Sequence, residues 1–205
     1  MWCSQHSKIY NYIKKKPKGS VFVLSDFYEI AEPKTVSKIM ERLTKEGVVS
    51  RIRRGVFWKN DSKNICPEVP DLIKALARIK SWEIIPTGDT ALHAAGLLKK
   101  NPRVWTYLTD GTARDYEFNG NLVSLQHKGI KSKKISNESK LLVEVLKACG
   151  NVITDETKTK IINLFSSKQI RKIIRDTKYM TVKFAKKIKN LFKDYSMNKI
   201  ENKEA

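Results

Sequence analysis

Val36, Ile39, Met40 and Leu43 fall at i, i+3, i+4 and i+7, and the stripe they form stops at Gly47, immediately before a β-rich run from Val48 to Trp58. A 3.6-residue period that gives way without a spacer to strand-forming residues commits this stretch to a helix followed directly by a hairpin. The apolar side of the helix predicts burial, and Lys34, Lys38, Glu41, Arg42 and Lys45 predict the opposite, solvated side. Gly47 is the expected C-terminal stop, and Arg53-Arg54-Gly55 the expected hairpin turn. Upstream, Ile9, Tyr10 and Ile13 predict a first helix within Ser7 to Lys16, ended by Pro17 and Gly19. Val21 to Leu24 is a short apolar stretch, Ser25 is the expected cap of a second short helix through Ile30, and Pro33 restarts the chain.

Helix, short helix, helix, hairpin with a basic tip is the element order of a winged helix-turn-helix, whose third element enters the major groove while the hairpin touches backbone or minor groove. Residues 1–60 are therefore expected to form a DNA-binding domain. Lys34, Thr35, Ser37, Lys38 and Arg42 are its expected groove-facing or phosphate-facing side chains, with Arg51, Arg53 and Arg54 on the wing. A protein-interaction module with a solvated basic face would give the same local pattern. Charge weighs against that reading. The formal net charge is +20, and residues 1–60 carry 13 Lys/Arg against 5 Asp/Glu, residues 61–127 carry 8 against 8, and the rest 20 against 8. A basic head and a basic tail flank a neutral middle, and excess cations raise affinity for polyanions through counterion release.

Asp61, Ser62, Asn64, Pro67 and Pro70 give residues 61–70 the composition of a linker, which places a second domain at 71–195, with an α/β part to about 130 and helices beyond. In that domain Leu72, Ile73, Leu76, Ala77 and Ile79 predict a helix, Glu83 to Ile85 a strand, and Thr87-Gly88-Asp89-Thr90 the capped start of a helix through Leu97. Val104 to Thr109 predicts a strand, and Tyr116 to Phe118 with Leu122 to Gln126 a hairpin around Asn119-Gly120. The expected fold class is thus α+β: an N-terminal winged helix, a small mixed α/β unit, and C-terminal amphipathic helices.

Those last helices are expected from Asn137 or Ser139, from Asp155, and over the stripe Phe184, Ile188, Leu191 and Phe192. Their polar faces hold Lys168, Arg171, Lys172, Arg175, Lys183, Lys186 and Lys187, a surface suited to an acidic protein, to DNA, or to water. Residues 196–205 read as a frayed tail.

Cys3, Cys66 and Cys149 are far apart and lack C-x-x-C spacing, so reduced thiols in the cytoplasm are expected. Ser4, Gln5, His6 and Lys8 interrupt any apolar N-terminal leader, and no apolar run reaches membrane-spanning length, so no membrane association is expected. Asp115 and Glu117 alternate along one strand and, with Asp89, Asp110 or His127, are the candidates for a metal-dependent nuclease. Solvated turns explain them as well, and no hydrolase, zinc-protease, phosphate-loop or dinucleotide fingerprint occurs. The expectation is a protein without catalytic residues, metal or cofactor.

The run Ile85-Pro86-Thr87-Gly88-Asp89-Thr90-Ala91-Leu92, then Gly96-Leu97, Pro102 and Val104-Trp105-Thr106-Tyr107-Leu108-Thr109-Asp110-Gly111, resembles the AbiEi family of antitoxins of bacterial abortive-infection (type IV) toxin–antitoxin systems. Arg51-Ile52-Arg53-Arg54-Gly55-Val56-Phe57-Trp58 is similar to that family's N-terminal domain, and the resemblance covers residues 5–130. It implies a repressor that binds inverted repeats of double-stranded DNA in its own operon, as a homodimer if it follows the symmetry of the repeats, and that counters a nucleotidyltransferase-like toxin. A stand-alone transcriptional regulator without a toxin partner is the alternative.

Overall fold

A computed structural model of the chain describes residues 4–60, 66–128, 134–150 and 153–193. Among them are eight α-helices and two small sheets, a mixed α+β chain. It divides into two compact units, Met1–Ile84 with Phe118–Gly120, and Ile85–Glu117 with Asn121–Ala205.

The first unit begins with α1 (Gln5–Lys15), whose opening N–H groups are capped by Ser4, its hydroxyl accepting from the Ser7 N–H at 3.2 Å. Then come β1 (Val21–Val23), a 3-10 turn (Leu24–Phe27), α2 (Pro33–Lys45), β2 (Val49–Arg53), β3 (Val56–Lys59) and α3 (Val69–Lys80). The strands form an antiparallel sheet in the order β1-β3-β2. Ile9 and Ile13 of α1, Phe22, Phe27, the α2 stripe, Val49 and Phe57 close one core.

Two expectations change here. The helix expected from Ser25 to Ile30 is the tighter turn Leu24–Phe27, because Asp26 rather than Ser25 reaches back and accepts the Val23 N–H at 3.0 Å. The first unit also runs past residue 60: α3 buries Val69, Leu72, Ile73 and Leu76, and Arg78 donates to the Val21 carbonyl at 3.3 Å and pairs with Asp26 at 3.4 Å, which ties α3 to β1. Of the expected linker, residues 61–65 lie outside the described residues, as does the expected tail 196–205.

After α3 come β4 (Ile84–Pro86), α4 (Asp89–Ala94), β5 (Val104–Thr109), β6 (Arg114–Phe118) and β7 (Asn121–His127), whose strands form a sheet of order β4-β5-β7-β6. β5 and β7 run parallel from Val104↔Leu122 to Thr109↔His127. Asn119 and Gly120, both at positive φ (49° and 71°), make the two-residue turn between β6 and β7, a conformation that Asn and Gly tolerate best. α4 stops at Ala94, short of the expected Leu97.

α5 (Asn137–Ala148), α6 (Asp155–Asn163), α7 (Ser167–Asp176) and α8 (Val182–Leu191) follow, started by Ser136, Thr154, Ser166 and Thr181. They bury Leu142, Val145, Leu146, Ile161, Ile170, Ile173, Ile188 and Phe192 together with Ala91 of α4. Where α7 meets the start of α5, one oxygen of the buried Asp176 accepts from the Ser136 N–H (2.9 Å), the Ser136 hydroxyl (2.6 Å) and the Ser139 hydroxyl (2.8 Å). Burial pushes that carboxyl up, but the Ser136 and Ser139 donors outweigh it and hold the pKa below the ordinary aspartate value.

Candidate nucleic-acid interface

Pro33 stands in the first turn of α2, where its missing N–H has no intrahelical partner to lose, and Glu32 gives no side-chain cap. Burial of Val36, Met40 and Leu43, none of them exposed, fixes the rotation of the helix. The same rotation turns Lys34, Lys38 and Arg42 out to solvent and leaves Thr35 and Ser37 half-buried. The helix N-terminus adds the positive end of its dipole beside Lys34.

The hairpin begins at Val49, two residues after Gly47, which lies just beyond the C-terminal cap of α2. Val49↔Lys59, Ser50↔Trp58 and Arg51↔Phe57 are in register, and the register then shifts so that Arg53 faces Val56, a bulge at Ile52 just before the tip. Gly55 closes the turn at φ +77°, where a side chain would be strained. Arg51, Arg53 and Arg54 are all exposed, and the Arg51 Nε reaches the Arg53 carbonyl at 3.4 Å. Thus the eight side chains expected to meet nucleic acid belong to one unit, and none of the eight is buried.

One of them has a competitor. Arg42 Nε donates to Glu46 Oε1 at 2.9 Å, and His6 Nε2 lies 3.9 Å from the other Glu46 oxygen. The hairpin is also anchored at its base, where Lys59 Nζ donates to the Lys14 and Lys16 carbonyls at 2.7 and 2.6 Å and so caps the C-terminal end of α1.

The basic surface of the second unit has a mixed role. Lys168, Arg171, Lys172 and Arg175 are exposed along α7, and Lys183 and Lys186 along α8, whereas Lys187 is half-buried. Lys172 Nζ lies 3.4 Å from Glu138 in the first turn of α5, and Lys187 Nζ donates to the Gly150 carbonyl just past its other end at 3.1 Å. A backbone hydrogen bond, joined by Lys172, holds the Glu138 carboxyl below its usual range. Arg171 bonds back to the Ser167 carbonyl at 3.3 Å.

Asp115 and Glu117 are exposed on β6, and among the described residues no group of three or more His, Cys, Asp or Glu side chains gathers that could hold a metal ion. His127 Nδ1 is 2.7 Å from the Gly111 carbonyl, and His93 packs edge-on against Trp105, with ring centroids 5.0 Å apart. Thr87 and Thr90 do not cap α4: the Thr87 hydroxyl donates to the buried Glu144 carboxylate at 2.7 Å, the Thr90 hydroxyl accepts from the Thr106 N–H at 2.8 Å, and Gly88 occupies the cap position without a side-chain bond. The Thr-Gly-Asp-Thr segment thereby ties β5, α4 and α5 together.

Sequence reasoning missed Glu46, Lys59 and Glu144. The first was within reach, since Arg42 and Glu46 are spaced i, i+4 on a helix; the other two act across 43 to 57 residues of chain. Among the described residues, no helix is long and apolar enough to cross a membrane. The chain matches, over residues 8–173, the model of a family described as a family of unknown function (DUF6088). No curated protein matches it.

Proposed function

We propose, for a chain that belongs to a family of unknown function (DUF6088), that its first unit is a winged helix-turn-helix that binds duplex DNA. The observation that carries this reading is the order α1, β1, 3-10 turn, α2, β2, β3 with the sheet paired β1-β3-β2, which sets the exposed cations of α2 beside a basic-tipped hairpin in one unit. In this reading α2 enters the major groove and Arg53 and Arg54 reach phosphates or a narrow minor groove. Lys34, Lys38, Arg42, Arg51, Arg53 and Arg54 supply the counterion release, and Thr35 and Ser37 add hydroxyl donors at the groove edge.

The fuller role is that of an AbiEi-like antitoxin: a cytoplasmic, non-catalytic repressor of its own operon that counters a nucleotidyltransferase-like toxin. The Pro-Thr-Gly-Asp-Thr-Ala-Leu run and the downstream Tyr-Leu-Thr-Asp-Gly support it by resemblance, and the exposed cations of α7 and α8 offer a surface for a partner. Titration of the chain's upstream DNA with the purified protein tests the first part: binding should weaken steeply as salt rises, with a slope of log K against log salt of about −5 if six cations meet phosphates. Co-expression with a neighbouring nucleotidyltransferase-like gene tests the second. DNA binding without growth rescue would favour the stand-alone regulator.

A further inference from the structure

Within the first unit, the C-terminal half of α1, the start of β1 and one face of α3 enclose an open, mostly polar cleft of about 340 Å³. We propose that this cleft binds a nucleoside monophosphate, a planar ring joined to a phosphate. The proposal stands apart from the DNA-binding reading, since occupancy is measured without DNA.

Its size is that of a site for one small molecule. Tyr12 supplies the flat wall: the residue is 41% exposed, yet edge-to-face contacts of its ring with Phe27 (5.6 Å) and Phe22 (6.4 Å) hold it in one orientation. A large aromatic left at the surface but fixed from behind is a stacking platform for a ligand ring. The cations stand around it. Lys16 Nζ lies 5.0 Å from the centre of the Tyr12 ring and meets that ring rather than a carboxylate, a weak contact that a phosphate displaces readily. Lys74 and Arg78 stand at i and i+4 of α3, on the same face of that helix. Arg78 commits its Nη2 to Asp26 and the Val21 carbonyl, which orients the guanidinium and leaves Nε and Nη1 to face an anion.

Two carboxylates decide against duplex DNA as the occupant. Asp26 and Asp71 line the same cleft, and a continuous polyanion laid across it would meet both. A nucleotide would not: Asp26 is already committed to the Val23 N–H and Arg78, and Asp71, half-exposed and 3.2 Å from Lys74, is placed to accept from ribose hydroxyls. Three cations against two carboxylates leave one excess positive charge for a single phosphate.

Isothermal titration of the full chain with adenosine monophosphate, adenosine and inorganic phosphate tests the site. The monophosphate should saturate at one per chain, with adenosine and phosphate each at least tenfold weaker. Lys16→Gln combined with Lys74→Gln, at exposed positions that leave the fold intact, should weaken the monophosphate more than fivefold. The control pair Lys183→Gln with Lys186→Gln should change it less than twofold. Absence of saturable binding, phosphate binding as tight as that of the nucleotide, a loss of fivefold or less in the first pair, or an equal loss in both pairs would overturn the proposal.

Discussion

Arg42 and Glu46 form an ion pair one helical turn apart at the C-terminal end of α2, Nε to Oε1 2.9 Å, on the face that the DNA-binding reading turns toward the duplex. In the free protein this carboxylate neutralises one of the candidate phosphate contacts. Exposed i, i+4 pairs contribute only about 0.3–0.5 kcal/mol, so a phosphate can displace Glu46 at small cost. Glu46→Gln should therefore tighten DNA binding about two- to fivefold at low salt, by anisotropy titration, and the gain should shrink at high salt, where the carboxylate's field is screened. Unchanged affinity at low salt would remove Arg42 from the interface.

The tip of the hairpin is the second test. Arg53→Ala with Arg54→Ala should weaken binding and make the slope of log K against log salt shallower by about 2, each phosphate contact contributing about 0.9. Because both side chains are exposed, urea unfolding should stay within about 0.5 kcal/mol of wild type. An undiminished slope would show that the tip does not meet phosphate.

Thr87 and Glu144 make a prediction about stability alone. The Thr87 hydroxyl donates to the carboxylate of Glu144, a residue only 7% exposed, whose other oxygen pairs with Lys147. Thr87→Val should cost about 1–3 kcal/mol by leaving one oxygen of a buried carboxylate without its donor, whereas Thr87→Ser, which keeps the hydroxyl, should restore most of it. Denaturant titration at neutral pH measures both.

Asp176 gives a pH dependence whose sign is fixed. Its folded pKa lies below the ordinary value of 3.8, so its contribution to stability is complete above that value and is lost as the pH falls below about 4 and through the folded pKa. Asp176→Ala should lower unfolding free energy at pH 7 by about 2 kcal/mol, since it strands one N–H and two hydroxyl donors. The gap from wild type should narrow toward pH 2. A gap that persists unchanged in acid would contradict the assignment.

Local periodicity makes α2 and the hairpin readable in the sequence, because the stripe Val36, Ile39, Met40, Leu43 and the turn Arg53-Arg54-Gly55 are signals contained in a few consecutive residues. The same locality placed the eight basic and hydroxyl side chains on one unit, since a buried stripe fixes what faces solvent. Where structure depends on distant partners, the chain was silent. Nothing near Asp26 announces that it takes the Val23 N–H and Arg78, so the local signals at 24–27 point to a Ser25-capped helix instead of the turn. The parallel pairing of β5 with β7 was equally hidden, because β6 lies between them in sequence but pairs on the outer side of β7. Thr87 read as a cap because its acceptor, Glu144, is 57 residues away.

The central claim is that α2 and the β2–β3 hairpin meet the same duplex, and amide hydrogen exchange of the full chain with and without its upstream DNA addresses it most directly. Slowed exchange on DNA binding at residues 33–42 and 51–55, with α5 to α8 unchanged within their cores, is the result expected. Protection confined to the second unit, or absent from residues 51–55 while DNA is bound, would contradict it.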